Sequence, residues 1–143
     1  MNKGYTFLEE WSFTDVAFDA HGETLEELFE ASAQATFEVM ADTPKIKPVV
    51  ERDIAIEGED EERLLFDWLA ELIYLKDVDG IIFSKYDIII SKNEIYKLRA
   101  RVQGEYVADF KGELGRDVKA VTMHLFYVKK TEDGWKARVL LDI

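Results

Sequence analysis

Apolar and polar positions alternate with period two over Val16–Ala20. Val16, Phe18 and Ala20 fall on one side; Asp15, Ala17, Asp19 and His21 fall on the other. That alternation predicts a half-buried strand. His21-Gly22 then supplies a turn, because glycine reaches backbone angles that other residues resist. From Leu25 the period changes. Leu25, Leu28, Phe29, Ser32, Ala35, Thr36, Val39 and Met40 recur at helical intervals. Thr24 stands three residues before Glu27, the spacing of a capping box. Glu26, Glu27 and Glu30 sit near the positive end of the helix dipole. The helix is expected to end near Ala41-Asp42-Thr43, with Pro44 just beyond, where a helix does not easily continue.

The same reading places further elements on either side. Tyr5–Trp11 predicts a first strand, with Tyr5, Phe7 and Trp11 on one face, leading through Ser12-Phe13-Thr14-Asp15 into the next. Val49–Glu57 predicts a strand with Val50, Ile54 and Ile56 on one face, broken by Gly58. Asp60 is placed as the N-cap of a second helix running through Arg63–Lys76, with Glu61 and Glu62 in its first turn. Leu64, Leu65, Trp68, Leu69, Leu72, Ile73 and Leu75 form a stripe wide enough for burial against a sheet.

Asp77-Val78-Asp79-Gly80 reads as a turn, and it lacks the later ligands of a calcium-binding loop. Beyond it the chain reads as β: short strands at Ile81–Phe83 and Tyr86–Ser91, a hairpin turn at Lys92–Glu94, and an alternating strand over Ile95–Gln103. A bend or bulge is expected at Gly104-Glu105 and a loop over residues 107–117. Val118–Lys130 predicts a long strand, Glu132–Gly134 a turn and Trp135–Ile143 the last strand. A βαβα half followed by an antiparallel meander predicts an α+β fold. Its two helices would pack on one mostly antiparallel sheet, or between two as a sandwich, in a single domain over residues 1–143.

Composition narrows the function. With 143 residues and an apolar fraction of 48%, the chain can build a substantial core. It has no cysteine, so disulfides and thiolate metal sites are excluded. No apolar signal core is visible near the first residue and no apolar run approaches a bilayer span, so a cytoplasmic protein without membrane contact is expected. The formal charge of −12 argues against stable direct binding of nucleic acid, whose phosphates are held mainly by lysine and arginine. Lys97, Arg99 and Arg101 form an ordered basic stripe that would meet RNA, an acidic partner or, more simply, the chain's own acidic residues across neighbouring strands.

No phosphate loop, dinucleotide turn, nucleophile–base pattern or paired-histidine motif is present; His21 and His124 are the only histidines. The carboxylates are more suggestive. Asp15 stands at the entry of a strand and Asp142 at the exit of the last one, followed by Ile143 and its carboxylate. If Asp15 lies beside them, three anionic groups converge, and they would repel unless a cation or protons intervened. A hard divalent ion suits such oxygen donors better than zinc does. The plainer alternative is that both aspartates are solvated strand ends.

Four segments together resemble the archease family: TDVAFDAHGETLEELFEASAQATFEVMAD, LLFDWLAELIYL, VKAVTMHLFYV and the closing WKARVLLDI. They occur in that family's order and spacing, and the resemblance spans nearly the whole chain. The resemblance implies an α+β protein that is not an enzyme itself. It would act as a cytoplasmic cofactor of the RtcB-type, GTP-dependent tRNA-splicing RNA ligase, promoting guanylylation and multiple turnover and broadening the accepted nucleotide triphosphates. It also implies a divalent metal ion on acidic residues, carried over here to Asp15, Asp142 and Ile143. Lys119, Thr122 and His124 match the KAVT-x-H segment and are expected near that site or against the ligase, or else in packing. Family members commonly read His-Thr-Ala-Asp where this chain has Ser12-Phe13-Thr14-Asp15. The aspartate is kept and the histidine is not, leaving an all-oxygen site that fits calcium or magnesium better than zinc. Two other classes stay open: a stand-alone metal-dependent phosphoesterase using the same carboxylates, and a chaperone-like module binding through the apolar helix face.

Overall fold

The computed structural model describes residues 3–8 and 13–143. Its elements run β1 (Gly4–Phe7), β2 (Asp15–Gly22), α1 (Leu25–Met40), β3 (Val50–Gly58), α2 (Glu61–Asp79), β4 (Ile81–Lys92), β5 (Tyr96–Tyr106), β6 (Ala120–Lys130) and β7 (Trp135–Asp142). The strands form two antiparallel sheets, one ordered β1-β2-β7-β6 and the other β3-β5-β4. Both helices touch both sheets and lie between them. The α+β expectation is met, and the choice between one sheet and two falls to two. The continuation of the first strand through Trp11, and Ser12 at the entry to β2, lie outside the described residues.

Helix α1 is buried almost all round because it faces a sheet on either side. Leu28, Phe29, Ala31, Ala33, Ala35 and Phe37 have no exposed surface. Its two buried hydroxyls are satisfied within the helix: Ser32 Oγ donates to the Leu28 carbonyl at 2.8 Å and Thr36 Oγ1 to the Ser32 carbonyl at 2.9 Å. The predicted capping box forms. The Glu27 N–H donates to Thr24 Oγ1 at 3.1 Å, while the Glu27 carboxylate accepts from the Glu23 N–H at 2.9 Å. At the centre, Trp68 of α2 donates its indole N–H to the Phe29 carbonyl at 3.1 Å and meets the Tyr86 ring edge-on at 6.3 Å. Phe37 packs edge-on against Phe83 at 5.6 Å. The leucine stripe of α2 is thus core: Leu64, Leu65, Leu69 and Leu72 are fully buried.

Several expectations need correction. Asp77–Asp79 is not a turn but the last turn of α2. The helix stops at Gly80, whose φ of 68° is left-handed and whose N–H donates to the Lys76 carbonyl at 3.0 Å. The two short strands after it are one strand, β4, with a bulge between Phe83 and Lys85. Finally, β5 does not bend at Gly104 but runs on to Tyr106. Gly104 is there because the backbone opposite comes close: a Cβ would collide with the carbonyl of Ile82. The irregularity expected at Gly104-Glu105 therefore lies in the partner strand.

Strand β6 starts at Ala120, two residues later than predicted, and is broken in register between Thr122 and Tyr127. Ala120–Thr122 pair with Asp142–Leu140 and Tyr127 resumes at Arg138, so four residues of β6 oppose Val139 alone. Leu125 takes a left-handed φ of 59° there, a costly conformation for a branched side chain. Phe126 repays part of that cost by packing against Phe66 at 5.7 Å.

Gly104→Ala is expected to lower stability by about 3 kcal/mol, since the added methyl forces β4 and β5 apart. Urea denaturation measures this; an unchanged midpoint would show that the β4 backbone does not crowd this position.

Candidate functional site

Strands β2 and β7 pair antiparallel, so the entry of one meets the exit of the other. Asp15 is the direct cross-strand partner of Asp142, and Ala120 of β6 flanks Asp142 on its far side. The Ile143 N–H donates to the Thr14 carbonyl at 2.8 Å. Hydrogen-bonded and non-hydrogen-bonded pairs alternate along such a ladder, so Asp15 and Asp142 form the non-bonded kind, whose side chains stand closer on one face of the sheet. Both residues are half-buried, and Asp15 Oδ2 accepts from Thr14 Oγ1 at 3.5 Å.

The tip is braced by the loop between β5 and β6. The N–H groups of Gly115 and Arg116 donate to the Met40 and Val39 carbonyls at the end of α1, at 2.7 and 3.0 Å. These bonds answer orphan carbonyls at a helix C-terminus. The Arg116 guanidinium reaches the Phe13 carbonyl, and the Lys119 N–H donates to the Asp142 carbonyl at 2.8 Å.

Lys76, buried at the end of α2, anchors the same loop. Its ammonium contacts Asp117 Oδ1 at 2.6 Å, Asp77 Oδ1 at 2.5 Å and the Val118 carbonyl at 2.9 Å. Burial by itself would lower its pKa. The hydrogen bonds it donates to Asp117 and Asp77 outweigh that effect and hold it above the ordinary lysine value.

Two register rows inward on the same face, Arg138 grips Asp19 with both arms of its guanidinium, at 2.8 and 3.0 Å, and Lys136 stands 3.8 Å away. The hydrogen bonds from Arg138 hold the Asp19 carboxyl below the usual carboxylate range. Asp19 is thereby neutralised. Among the described residues no cation pairs with Asp142.

Of the other candidates, Thr122 shares the face of the aspartates one row in, opposite Leu140, and its hydroxyl is buried with no hydrogen-bond partner. Lys119 meets Asp142 through its backbone, its side chain being exposed. His124 lies exposed in the β6 bulge, off the register rows that carry the aspartates. The basic stripe on β5 is partly consumed by cross-strand pairing: Arg101 reaches Asp53 at 3.3 Å and Glu51 at 4.0 Å, and Lys97 faces Glu57.

Sequence reading missed the Lys76 and Arg116 braces. The only signal was a lysine closing an apolar helical stripe, where a charge is buried only if partners come to it.

The sequence matches the archease protein family (MTH1598/TM1083) over residues 5–143. The chain belongs to the archease family. The archease of Methanosarcina mazei is 39% identical over 143 residues, covering 99% of this chain and 97% of that protein. That of Pyrococcus furiosus is 41% identical over 131 residues, covering 90% and 92%. The solution structure of Methanobacterium thermoautotrophicum protein 1598 superposes with a TM-score of 0.85 at 38% identity, covering 98% of this chain and 99% of that one. The crystal structure of a Thermotoga maritima archease, described as a possible chaperone, shares the fold with a TM-score of 0.64 at 22% identity, covering 92% and 93%.

The archease tip presents a small set of oxygen donors. Among the described residues no three histidine, aspartate or glutamate side chains gather closely enough to cage a metal. Two aspartates face each other across a strand pair, and the Ile143 carbonyl follows directly in the chain. All are hard oxygen donors, matching calcium or magnesium in kind and leaving several positions for water or a partner's ligands.

Two substitutions test the electrostatics. Lys76→Met is expected to destabilise by about 2 kcal/mol, because it frees the loop and removes the partner of Asp117; thermal melting reads this. Asp19→Asn is expected to cost about 1–2 kcal/mol at neutral pH. Because the folded carboxyl is the stronger acid, its contribution is present above the ordinary carboxylate range and is lost as pH falls through the folded value. The gap between wild type and variant should therefore close below about pH 4. A gap that persists in acid would show that the Arg138 pair is not its source.

Proposed function

We propose that this archease-family chain activates an RtcB-type, GTP-dependent tRNA-splicing ligase, promoting its guanylylation and multiple turnover and broadening its use of nucleotide triphosphates. The observation that carries this reading is the direct pairing of Asp15 with Asp142 beside Ile143, in a chain that matches the family over residues 5–143. Asp15, Asp142 and the main chain of Ile143 would hold a calcium or magnesium ion. When bound, such an ion supplies positive charge against a triphosphate during nucleotidyl transfer.

The protein's own contribution is placement. Backbone pairing fixes the two carboxylates, and the Arg116 and Lys76 contacts hold the surrounding loop. Neither histidine shares a register row with the aspartates, which favours a cofactor over a stand-alone phosphoesterase. The apolar face of α2 is occupied by core packing, so a chaperone-like role through that face would require the helix to leave its sheets. The acidic surface disfavours holding RNA directly. Among the described residues no helix is long and apolar enough to cross a membrane. Within this reading the protein works in the cytoplasm beside its ligase.

The test is multiple-turnover ligation of split tRNA by a cognate RtcB-type ligase with GTP and divalent metal. Wild type is expected to restore turnover, and folded Asp15→Ala and Asp142→Ala to leave the ligase near its unaided rate. Equal stimulation by all three would remove the metal site from the mechanism. No stimulation by wild type of a ligase known to need a cofactor would remove the proposal.

A further inference from the structure

β1 is an edge of one sheet and β4 an edge of the other, and α1 runs beneath the seam between them. Residues of α1 at four-residue spacing face this seam. Glu26 accepts the Ile90 N–H at 3.3 Å, Glu30 pairs with Lys3 at 3.0 Å, and Glu38 accepts the Tyr5 hydroxyl at 2.5 Å. At the Glu38 end the seam opens into a cavity of about 350 Å³, lined by Tyr5, Gln34, Glu38, Thr43, Phe83 and Tyr86 among others. The β4 bulge brings Ser84 to its rim.

Glu38 is exposed and Gln34 half-buried, and both keep hydrogen-bonding capacity that the protein itself does not use. Glu38 Oε2 is held by the Tyr5 hydroxyl and lies 3.5 Å from Thr43 Oγ1. Burial and the bond to Glu38 push the Tyr5 phenol up to about 12, so Tyr5 remains a donor to Glu38. Among the described residues, Glu38 Oε1 and the Gln34 side-chain amide, one helical turn apart, take part in no hydrogen bond. The Tyr86 ring is buried, with its hydroxyl turned to the Phe83 carbonyl at 3.1 Å.

A carboxylate rules out an anionic ligand, and an apolar one would leave two polar groups dry. The volume lies at the small end for ligand sites and fits a side-chain-sized group. A preorganised carboxylate oxygen and an amide oxygen beside aromatic rings suit a planar cation with several N–H donors better than a compact ammonium.

We propose that this cavity binds a guanidinium group, its N–H groups on Glu38 Oε1 and the Gln34 amide oxygen and its plane beside Tyr86. The inference is independent of the Asp15–Asp142 tip. The group would come either from a small guanidino compound or from an arginine of a protein partner, and the two sources separate by experiment.

Calorimetry and NMR titration of the full chain would use methylguanidinium, the peptide Gly-Gly-Arg-Gly-Gly, and the same peptide with Lys or Gln in place of Arg. Saturable binding is expected for the guanidinium ligands. It should weaken at least about tenfold in Glu38→Gln and in Gln34→Leu and stay unchanged in Asp142→Asn. The lysine peptide should bind less well and the glutamine peptide not at all. Tighter binding of the arginine peptide than of methylguanidinium assigns the site to a protein partner; the reverse order assigns it to a small molecule. Absence of saturable binding, equal binding to folded Glu38→Gln, or equal binding of the lysine peptide would overturn the proposal.

Discussion

The pairing of β2 with β7 is the constraint on which the rest of this molecule depends. It joins Asp15–Gly22 to Trp135–Asp142, segments more than a hundred residues apart, and it closes the sheet on which α1 lies. The entropy of closing so long a loop grows only slowly with length, and it is offset where Phe18, Ala20, Val139 and Leu141 lose all contact with water. The same pairing places two strand ends side by side, so the core and the acidic tip are consequences of one ladder.

That coupling explains how two aspartates come to stand at one register position. Left to side-chain electrostatics, Asp15 and Asp142 would move apart. Backbone hydrogen bonds of a ladder whose inner face is buried keep them in register. The surrounding loop is tied to both helix ends, through Gly115 and Arg116 on α1 and through Lys76 on α2. Further along the face, Asp19 has its own arginine. Asp19 is thus a structural acid, and the facing pair at the tip is the candidate ligand set.

Much of the fold was legible from local pattern. The capping box at Thr24, the Asp60 N-cap and the leucine stripe of α2 were all visible in the chain, because helix signals lie within a few residues of one another. The departures share one cause. Asp77-Val78-Asp79 reads as a turn by residue type but stays helical until Gly80, since nothing before the glycine forces the backbone out of a helix already held by its buried face. The bulge in β4 and the four-residue excursion in β6 depend on what the partner strand needs opposite them, and neither Gly104 nor Val139 is near in sequence.

For the site, Asp15 and Asp142 were named from their places at strand ends, while their adjacency had to wait for the fold. By itself the sequence determined the elements, their buried faces, the acidic surface and the family, because periodicity, caps and motif order are written along the chain. Only the tertiary structure decided that the helices lie between two sheets, that Asp15 faces Asp142, that Lys76 and Arg116 brace the tip, and that β1 and β4 leave a polar cavity over α1. Each of these is a meeting of distant segments, decided by which pairings bury the most apolar surface while leaving backbone groups satisfied, and no local pattern records that choice.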